Sequence, residues 1–158
     1  MLFGTHLVAA AALGEWSRRS LPVVVLGAAF PDLVDKPLAM LGVVDVFHSV
    51  GHSALFLLAV APLAYAIPSV RAFALGWGSH LALDAFHVVI NGRADDALFL
   101  GWPLTTPPTP LRIPPGEFFF YYLWSPSFFV EILLWLVAIV VLQSRIRDTV
   151  AWVRDGRD

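Results

Sequence analysis

The chain contains no cysteine and few charged residues, and both shortages limit what it can be. Without cysteine it has no disulfide bonds and no thiolate metal ligands. Charged residues make up 14% of the 158 residues and apolar residues 58%, whereas about 25% charged residues is usual in soluble proteins. A water-soluble domain of this size exposes too much surface to hide so many apolar side chains. The sequence therefore predicts an integral membrane protein with a single domain.

Basic residues are the scarcer of the two charge types. One lysine and nine arginines stand against twelve acidic residues, which gives a formal net charge of −2. Proteins that bind nucleic acid carry a strongly basic face. The charge balance therefore argues against nucleic acid as a partner.

Five apolar segments predict an all-α fold, a multi-pass transmembrane bundle of about five helices. The segments are residues 2–16, 21–34, 50–67, 72–90 and 118–142. The last three are long enough to span a bilayer, which takes about 20 helical residues, whereas the first two are short. The start of the chain lacks the basic region of a signal peptide and has His6 in its apolar run, so we expect a retained first helix.

Residues 91–127 differ from the rest of the chain in holding seven of its twelve prolines. Such a stretch cannot form one regular helix. It ends in a cluster of aromatic residues of the kind found at membrane interfaces. We expect an extracytoplasmic loop that acts as a lid.

The basic residues also predict how the bundle is oriented. A cytoplasmic tail at 146–158, following a transmembrane domain at 1–145, places seven of the ten basic residues on the inner side, as the positive-inside rule prefers. Lys36, Arg93 and Arg112 then face outward together with eight of the twelve acidic residues. An outer half this acidic attracts cations.

All five histidines lie in or beside apolar segments, where ionisable side chains are costly and rare. His80, Asp84 and His87 follow the spacing i, i+4, i+7 and therefore share one helix face. The predicted topology brings side chains of four segments into the outer half of one bundle. These are His6, Asp32, Asp35, His52, His80 and Asp84. Imidazole and carboxylate groups together bind Zn²⁺ and similar ions, and helical bundles commonly hold such sites.

Ordinary structural explanations exist for several of these residues. A His–Asp pair on one helix face is often a local hydrogen bond, and His48 and His87 lie near the interface, where a histidine needs no ligand. Asp32 could cap a turn, and Asp35 could pair with the adjacent Lys36.

Two further acidic features have no role that the sequence assigns. The Asp95-Asp96 pair has the character of a solvated loop. Glu131 lies inside the last apolar segment, where it could pair with an arginine, fill a metal position or act as a base. Six separate explanations would be needed for the depth-matched set of histidines and acids, whereas one metal site accounts for all of them.

Four motifs in the first two thirds of the chain resemble a known family. They are Thr5-His6, Pro31-Asp32-Leu33-Val34-Asp35, Gly51-His52-Ser53 and Ser79-His80-Leu81-Ala82-Leu83-Asp84. Together with Gly-Trp-Pro-Leu at 101–104 they are similar to small inner-membrane proteins described as membrane-bound metal-dependent hydrolases. That family is distantly related to the zinc-dependent phospholipase C and P1 nuclease superfamily. The resemblance implies a prokaryotic inner-membrane location and metal ligation by His6, Asp32, His52, His80 and Asp84.

The chain departs from the family pattern in two places. The second acid of the Pro-Asp motif falls one residue late, at Asp35. The family's His-Arg-Gly is missing, and Ser49 stands where its arginine is expected. Arg93 could supply the phosphate contact instead.

We therefore expect a membrane-embedded metal-dependent hydrolase that uses zinc to cleave an ester or phosphoester of a lipid or other amphiphile. Asp35 or Glu131 would accept the proton of the attacking water. Two alternatives stay open, namely a proton or cation pathway built from the same side chains and a structural subunit whose buried pairs fix the helix register. The sequence does not set the oligomeric state.

Overall fold

The computed structural model describes residues 1–110, 113 and 115–155, and within them it contains seven helical elements and no strand. The elements are α1 (Phe3–Trp16), α2 (Leu21–Met40), α3 (Ala54–Ala66), α4 (Pro68–Ile90), a 3₁₀ helix (Ala94–Gly101), α5 (Pro115–Tyr122) and α6 (Pro126–Asp155). The predicted all-α fold is confirmed. Arg112 and residues 156–158, part of the predicted cytoplasmic tail, lie outside the described residues.

Two of the predicted segment boundaries are wrong. Helix α2 does not stop at residue 34 but continues to Met40, through Pro31 and Pro37. Each proline removes one backbone hydrogen bond, which bends a helix without ending it when tertiary packing holds both halves. The predicted segment 118–142 is broken between α5 and α6, where Trp124 adopts a φ of 67° and Pro126 begins α6. Helix α6 then runs past residue 145 without interruption.

Among the described residues, two helices are long and apolar enough to cross a membrane, by length and composition. They are α4 and the part of α6 from Pro126 to Arg154. Helix α3 is apolar but has only 13 residues, fewer than the predicted span at 50–67, because residues 50–53 belong to the preceding loop. Many apolar side chains of α6 are exposed, among them Leu133 at 60% and Val140 at 63%.

Helices α2 and α4 pack closely against each other, and small residues make this possible. A Cβ atom on Gly27 would collide with the backbone of Phe73, and one on Gly76 would collide with the carbonyl group of Val24. Val24, Ala28 and Ala72 are buried in the same contact. Close backbone approach through small residues is typical of helices packed in membranes. It brings the carbonyl groups of α2 within reach of side chains on α4.

A buried carboxylate on α6 fixes the start of α1. Glu131 accepts hydrogen bonds from the backbone N–H of Leu2 and from the hydroxyl group of Thr5, both at 2.7 Å. The Thr5 hydroxyl in turn accepts a bond from the indole N–H of Trp135 at 3.0 Å. The first N–H groups of a helix have no partner inside the helix, so an acidic side chain is favourable there. These bonds set the position of the neighbouring His6.

Candidate metal centre

A cluster of buried imidazole and carboxylate groups lies where α1, α2, α4 and the loop before α3 meet. The cluster has six members, His6, Asp32, Asp35, His52, His80 and Asp84. None of these side chains belongs to a residue that is more than 6% exposed. The structure thus brings together the six side chains that the sequence topology placed at one depth. Their individual contacts assign them different positions within the cluster.

The centre of the cluster is a pair of imidazoles. The Nε2 atoms of His52 and His80 lie 3.1 Å apart. The Nδ1 atom of His52 is 2.7 Å from the Asp35 carboxylate, and that of His80 is 2.7 Å from the carbonyl oxygen of Ala28. A carboxylate and a carbonyl group both accept, so each Nδ1 donates. The lone pairs of the two Nε2 atoms then point at the same space, which requires a cation there.

Two carboxylates complete the surroundings of this space. Asp84 Oδ2 lies 3.2 Å from His80 Nε2 and 3.4 Å from His52 Nε2. Asp32 Oδ1 lies 3.5 Å from His52 Nε2 and 3.8 Å from His80 Nε2. Ligands at the usual zinc bond lengths are about 3.3 Å apart at the corners of a tetrahedron. Five of the six distances among these four groups, at 3.1–3.8 Å, are therefore close to those of a tetrahedral zinc site.

The carboxylates of the cluster also determine which cation lies between the two Nε2 atoms when no metal ion is bound. Burial by itself would lower the pKa of His52, but the carboxylates of Asp32, Asp35 and Asp84 outweigh burial and raise its pKa to about 10. Without a metal ion, the required cation is therefore a proton on His52. A metal ion would replace this proton, since a metal-binding imidazole is neutral.

Asp84 connects this space to two further histidines. Its Oδ1 atom lies 3.1 Å from His6 Nε2, and its Oδ2 atom lies 3.8 Å from His48 Nε2. The His6 ring stacks on the His80 ring with centroids 3.7 Å apart. The amino group of Met1 also donates to Asp84 Oδ1, at 2.8 Å. Groups of three that could hold an ion therefore include His6 with His80 and Asp84, and His48 with His52 and Asp84.

Asp35 organises the loop that carries His52. Its carboxylate accepts bonds from the backbone N–H groups of Ser49, Gly51 and His52 at 2.7–3.0 Å, in addition to the bond from the His52 ring. Gly51 is required because a Cβ atom there would lie 2.6 Å from the Cα of Pro31. The loop therefore packs directly on α2, and this contact aims the His52 ring into the cluster.

Several residues lie elsewhere than the sequence predicted. Lys36 pairs with Asp32, its Nζ 2.6 Å from Oδ2, so the suggested pairing of Lys36 with Asp35 is wrong. Asp96 is only 9% exposed and pairs with Arg93 at 2.7 Å, so it does not belong to a solvated loop. Glu131 binds the start of α1 and belongs to none of the possible ion-binding groups found among the described residues. The proton-accepting roles of Asp35 and Glu131 stay predictions.

Sequence reasoning missed two contacts of the cluster. The Asp32–Lys36 pair has the i, i+4 spacing of a helical ion pair, so the sequence carried a signal for it. No pattern could have indicated Ala28, because its contribution is a backbone carbonyl group 52 residues from His80.

A cavity of about 530 Å³ opens beside the cluster. Asp32, Asp84, His48 and His87 line it on the side of the cluster. Apolar and aromatic side chains from the loop before α3, the 3₁₀ helix and α5 form the other walls, including Phe47, Phe99, Phe118 and Tyr121. The region predicted to be a lid thus contributes walls of this cavity. Its volume is within the range of small-molecule sites, about 300–1,000 Å³.

Comparison with known proteins finds no family model that matches the chain, no matching curated protein and no matching solved structure. The likeness to membrane-bound metal-dependent hydrolases therefore depends on the motif residues. The structure adds that these motif residues lie in one buried His/Asp cluster that could hold a metal ion.

Proposed function

We propose that the chain is a membrane-embedded hydrolase that holds a divalent metal ion, zinc by preference, at Asp32, His52, His80 and Asp84. One observation carries the proposal. The Nε2 atoms of His52 and His80 face each other at 3.1 Å, while both Nδ1 atoms are committed to groups that only accept. Two imidazoles and two carboxylates at this spacing are a donor set that suits zinc.

The contacts around the donor set support the same assignment. A metal-binding histidine usually donates its other N–H to a carboxylate or a backbone carbonyl group, which fixes the ring and its tautomer. Asp35 does this for His52, and the Ala28 carbonyl does it for His80. We assign Asp35 as a positioning residue on this basis. His6, on the other oxygen of Asp84, is placed to join the same site or a second, adjacent one.

A metal ion here would make a bound water more acidic and polarise the scissile group of an ester or phosphoester. The protein supports this chemistry by excluding bulk water, since the cluster is buried, and by offering one open side. That side is the cavity, which Asp32 and Asp84 line. The cavity has polar side chains on the side of the cluster and aromatic side chains on its other walls, which suits a substrate with a polar head and an apolar body.

A membrane location fits the distribution of apolar surface. The apolar length of α4 and α6, and the exposed leucine and valine side chains of α6, are those of helices in contact with lipid. We propose that the protein lies in the inner membrane of a prokaryotic cell, with the metal centre toward the extracytoplasmic side and the C-terminus in the cytoplasm.

Cysteine scanning of the ends of α4 and α6 with a membrane-impermeant reagent tests this orientation. Labelling of residue 154 from outside would contradict it.

The test of the metal centre is elemental analysis of the detergent-purified protein beside two histidine variants. We expect stoichiometric zinc in the unaltered chain and loss of zinc in His80→Ala. His87→Ala is the matched control, because His87 lies on the same helix and stacks on Tyr122. It belongs to none of the possible ion-binding groups within the described part of the chain. We expect it to keep its zinc. Zinc content that is the same in all three proteins, or absent from all three, would refute the proposal.

A further inference from the structure

A lysine lies directly beside the proposed metal centre and faces the cavity. The Lys36 ammonium group is 2.6 Å from Asp32 Oδ2, while the other oxygen of Asp32 faces His52 and His80. One carboxylate therefore separates the lysine from the proposed metal ion. The Lys36 side chain is 29% exposed and lines the cavity, so a bound molecule can reach it.

A second cation lines another wall of the same cavity. Arg93 pairs with Asp96 at 2.7 Å and donates to the carbonyl oxygen of Thr109 at 3.1 Å. Both of these contacts are made by Nη2. A guanidinium group carries five N–H donors in a planar fork and binds carboxylate and phosphate groups well. Arg93 is thus equipped to bind an anion as well as Asp96.

The charge of the cavity depends on the metal ion. Its lining includes three carboxylates, on Asp32, Asp84 and Asp96, and three cations, namely Lys36, Arg93 and the amino group of Met1. Without a metal ion these groups sum to zero. A divalent ion makes the sum positive, so the loaded cavity favours an anion through the combined field of its walls.

We propose that the substrate of this site is an anionic amphiphile, and that Lys36, with Arg93, recognises the negative oxygens beside its scissile bond. The apolar part of the molecule would lie against Phe47, Phe99 and Phe118. This inference rests on the proposed hydrolase function and adds to it the charge of the substrate and the residues that recognise this charge. Phosphate and carboxylate head groups share this chemistry, and the experiment distinguishes them.

The test measures binding of three single-chain probes to the zinc-loaded protein in lipid nanodiscs. The probes are dodecyl phosphate, dodecanoate and dodecyltrimethylammonium. We expect at least one anionic probe to bind about tenfold more tightly than the cationic one. Lys36→Gln should weaken binding of that probe about tenfold, because it removes a charge-assisted hydrogen bond. Lys36→Arg is expected to restore most of the affinity. Arg71→Gln, at an exposed position on α4, is the control and should bind normally.

The outcomes separate this inference from the proposed function. Equal binding of cationic and anionic probes, or unchanged binding in Lys36→Gln, overturns the anionic substrate even if zinc is present. Absence of zinc overturns the hydrolase, whereas anion binding that still depends on Lys36 in the metal-free protein would preserve the anion site. If Lys36→Gln does not fold, Arg93→Gln replaces it, and full affinity in that variant counts against the inference.

Discussion

The replacement of Asp35 by asparagine tests how the proposed metal centre is held in shape. The Asp35 carboxylate is fully buried and accepts four N–H bonds at 2.7–3.0 Å. An asparagine has one acceptor oxygen with two lone pairs, and its amide nitrogen is a donor. About two of the four N–H groups would therefore lose their acceptor.

The structure gives the size of the expected effect. A buried donor left without a partner costs about 1–3 kcal/mol, so Asp35→Asn should lower the free energy of unfolding by about 2–6 kcal/mol. The His52 ring also loses its charged acceptor, because an asparagine offers the Nδ1–H at most a neutral oxygen. Loss of such a partner typically weakens metal binding about 10–100-fold, which corresponds to about 1.4–2.7 kcal/mol.

Two measurements check this prediction. Thermal unfolding followed by circular dichroism reports the change in stability, and competition with a chelator reports zinc affinity in protein that keeps its helical signal. Asp45→Asn is the matched control, because Asp45 lies in the same loop and is exposed. An Asp35→Asn variant with the melting temperature and zinc affinity of the unaltered chain would refute the positioning role.

Two further substitutions test the packing that supports the site. Gly76→Ala should lower both the melting temperature and the zinc affinity, because its Cβ would collide with the Val24 carbonyl group and separate α2 from α4. Gly78→Ala, two residues along the same helix, is the control, because its Cβ meets only an ordinary contact at 3.5 Å. It should be neutral or stabilise the fold by up to about 1 kcal/mol. Equal effects of Gly76→Ala and Gly78→Ala would contradict the packing argument. Thr5→Ala should destabilise the fold by about 1–3 kcal/mol because it removes the hydroxyl that links two side chains of α6. The exposed Thr106→Ala serves as its control in the same thermal unfolding assay, and a Thr5→Ala melting curve like that of the control would show that this link contributes nothing.

The extent of the helices was only partly predictable. Hydropathy located the regions of the α-helices, but the apolar segment predicted at 21–34 ends six residues before α2 does, at Met40, beyond Pro31 and Pro37. A helix tolerates internal proline when its neighbours hold it, and the packing of α2 on α4 is a contact between segments about 50 residues apart. Sequence periodicity contains no information on such a contact.

The membership of the site was more predictable than its internal arrangement. The i, i+4 spacing of His80 and Asp84 and the topology derived from basic residues were enough to group the six side chains. The four-bond role of Asp35 was not predictable, because three of its partners are backbone N–H groups of a loop that becomes ordered only when it packs on α2.

The sequence by itself determined an apolar, helical chain with few charges and grouped six of its histidine and aspartate residues, since these properties follow from composition, local spacing and the distribution of basic residues. The tertiary structure decided which atoms of those residues can bind an ion. The Nδ1 partners of His52 and His80 are a carboxylate 17 residues away and a carbonyl group 52 residues away. Only the folded chain brings them close enough to turn both Nε2 lone pairs toward a single point.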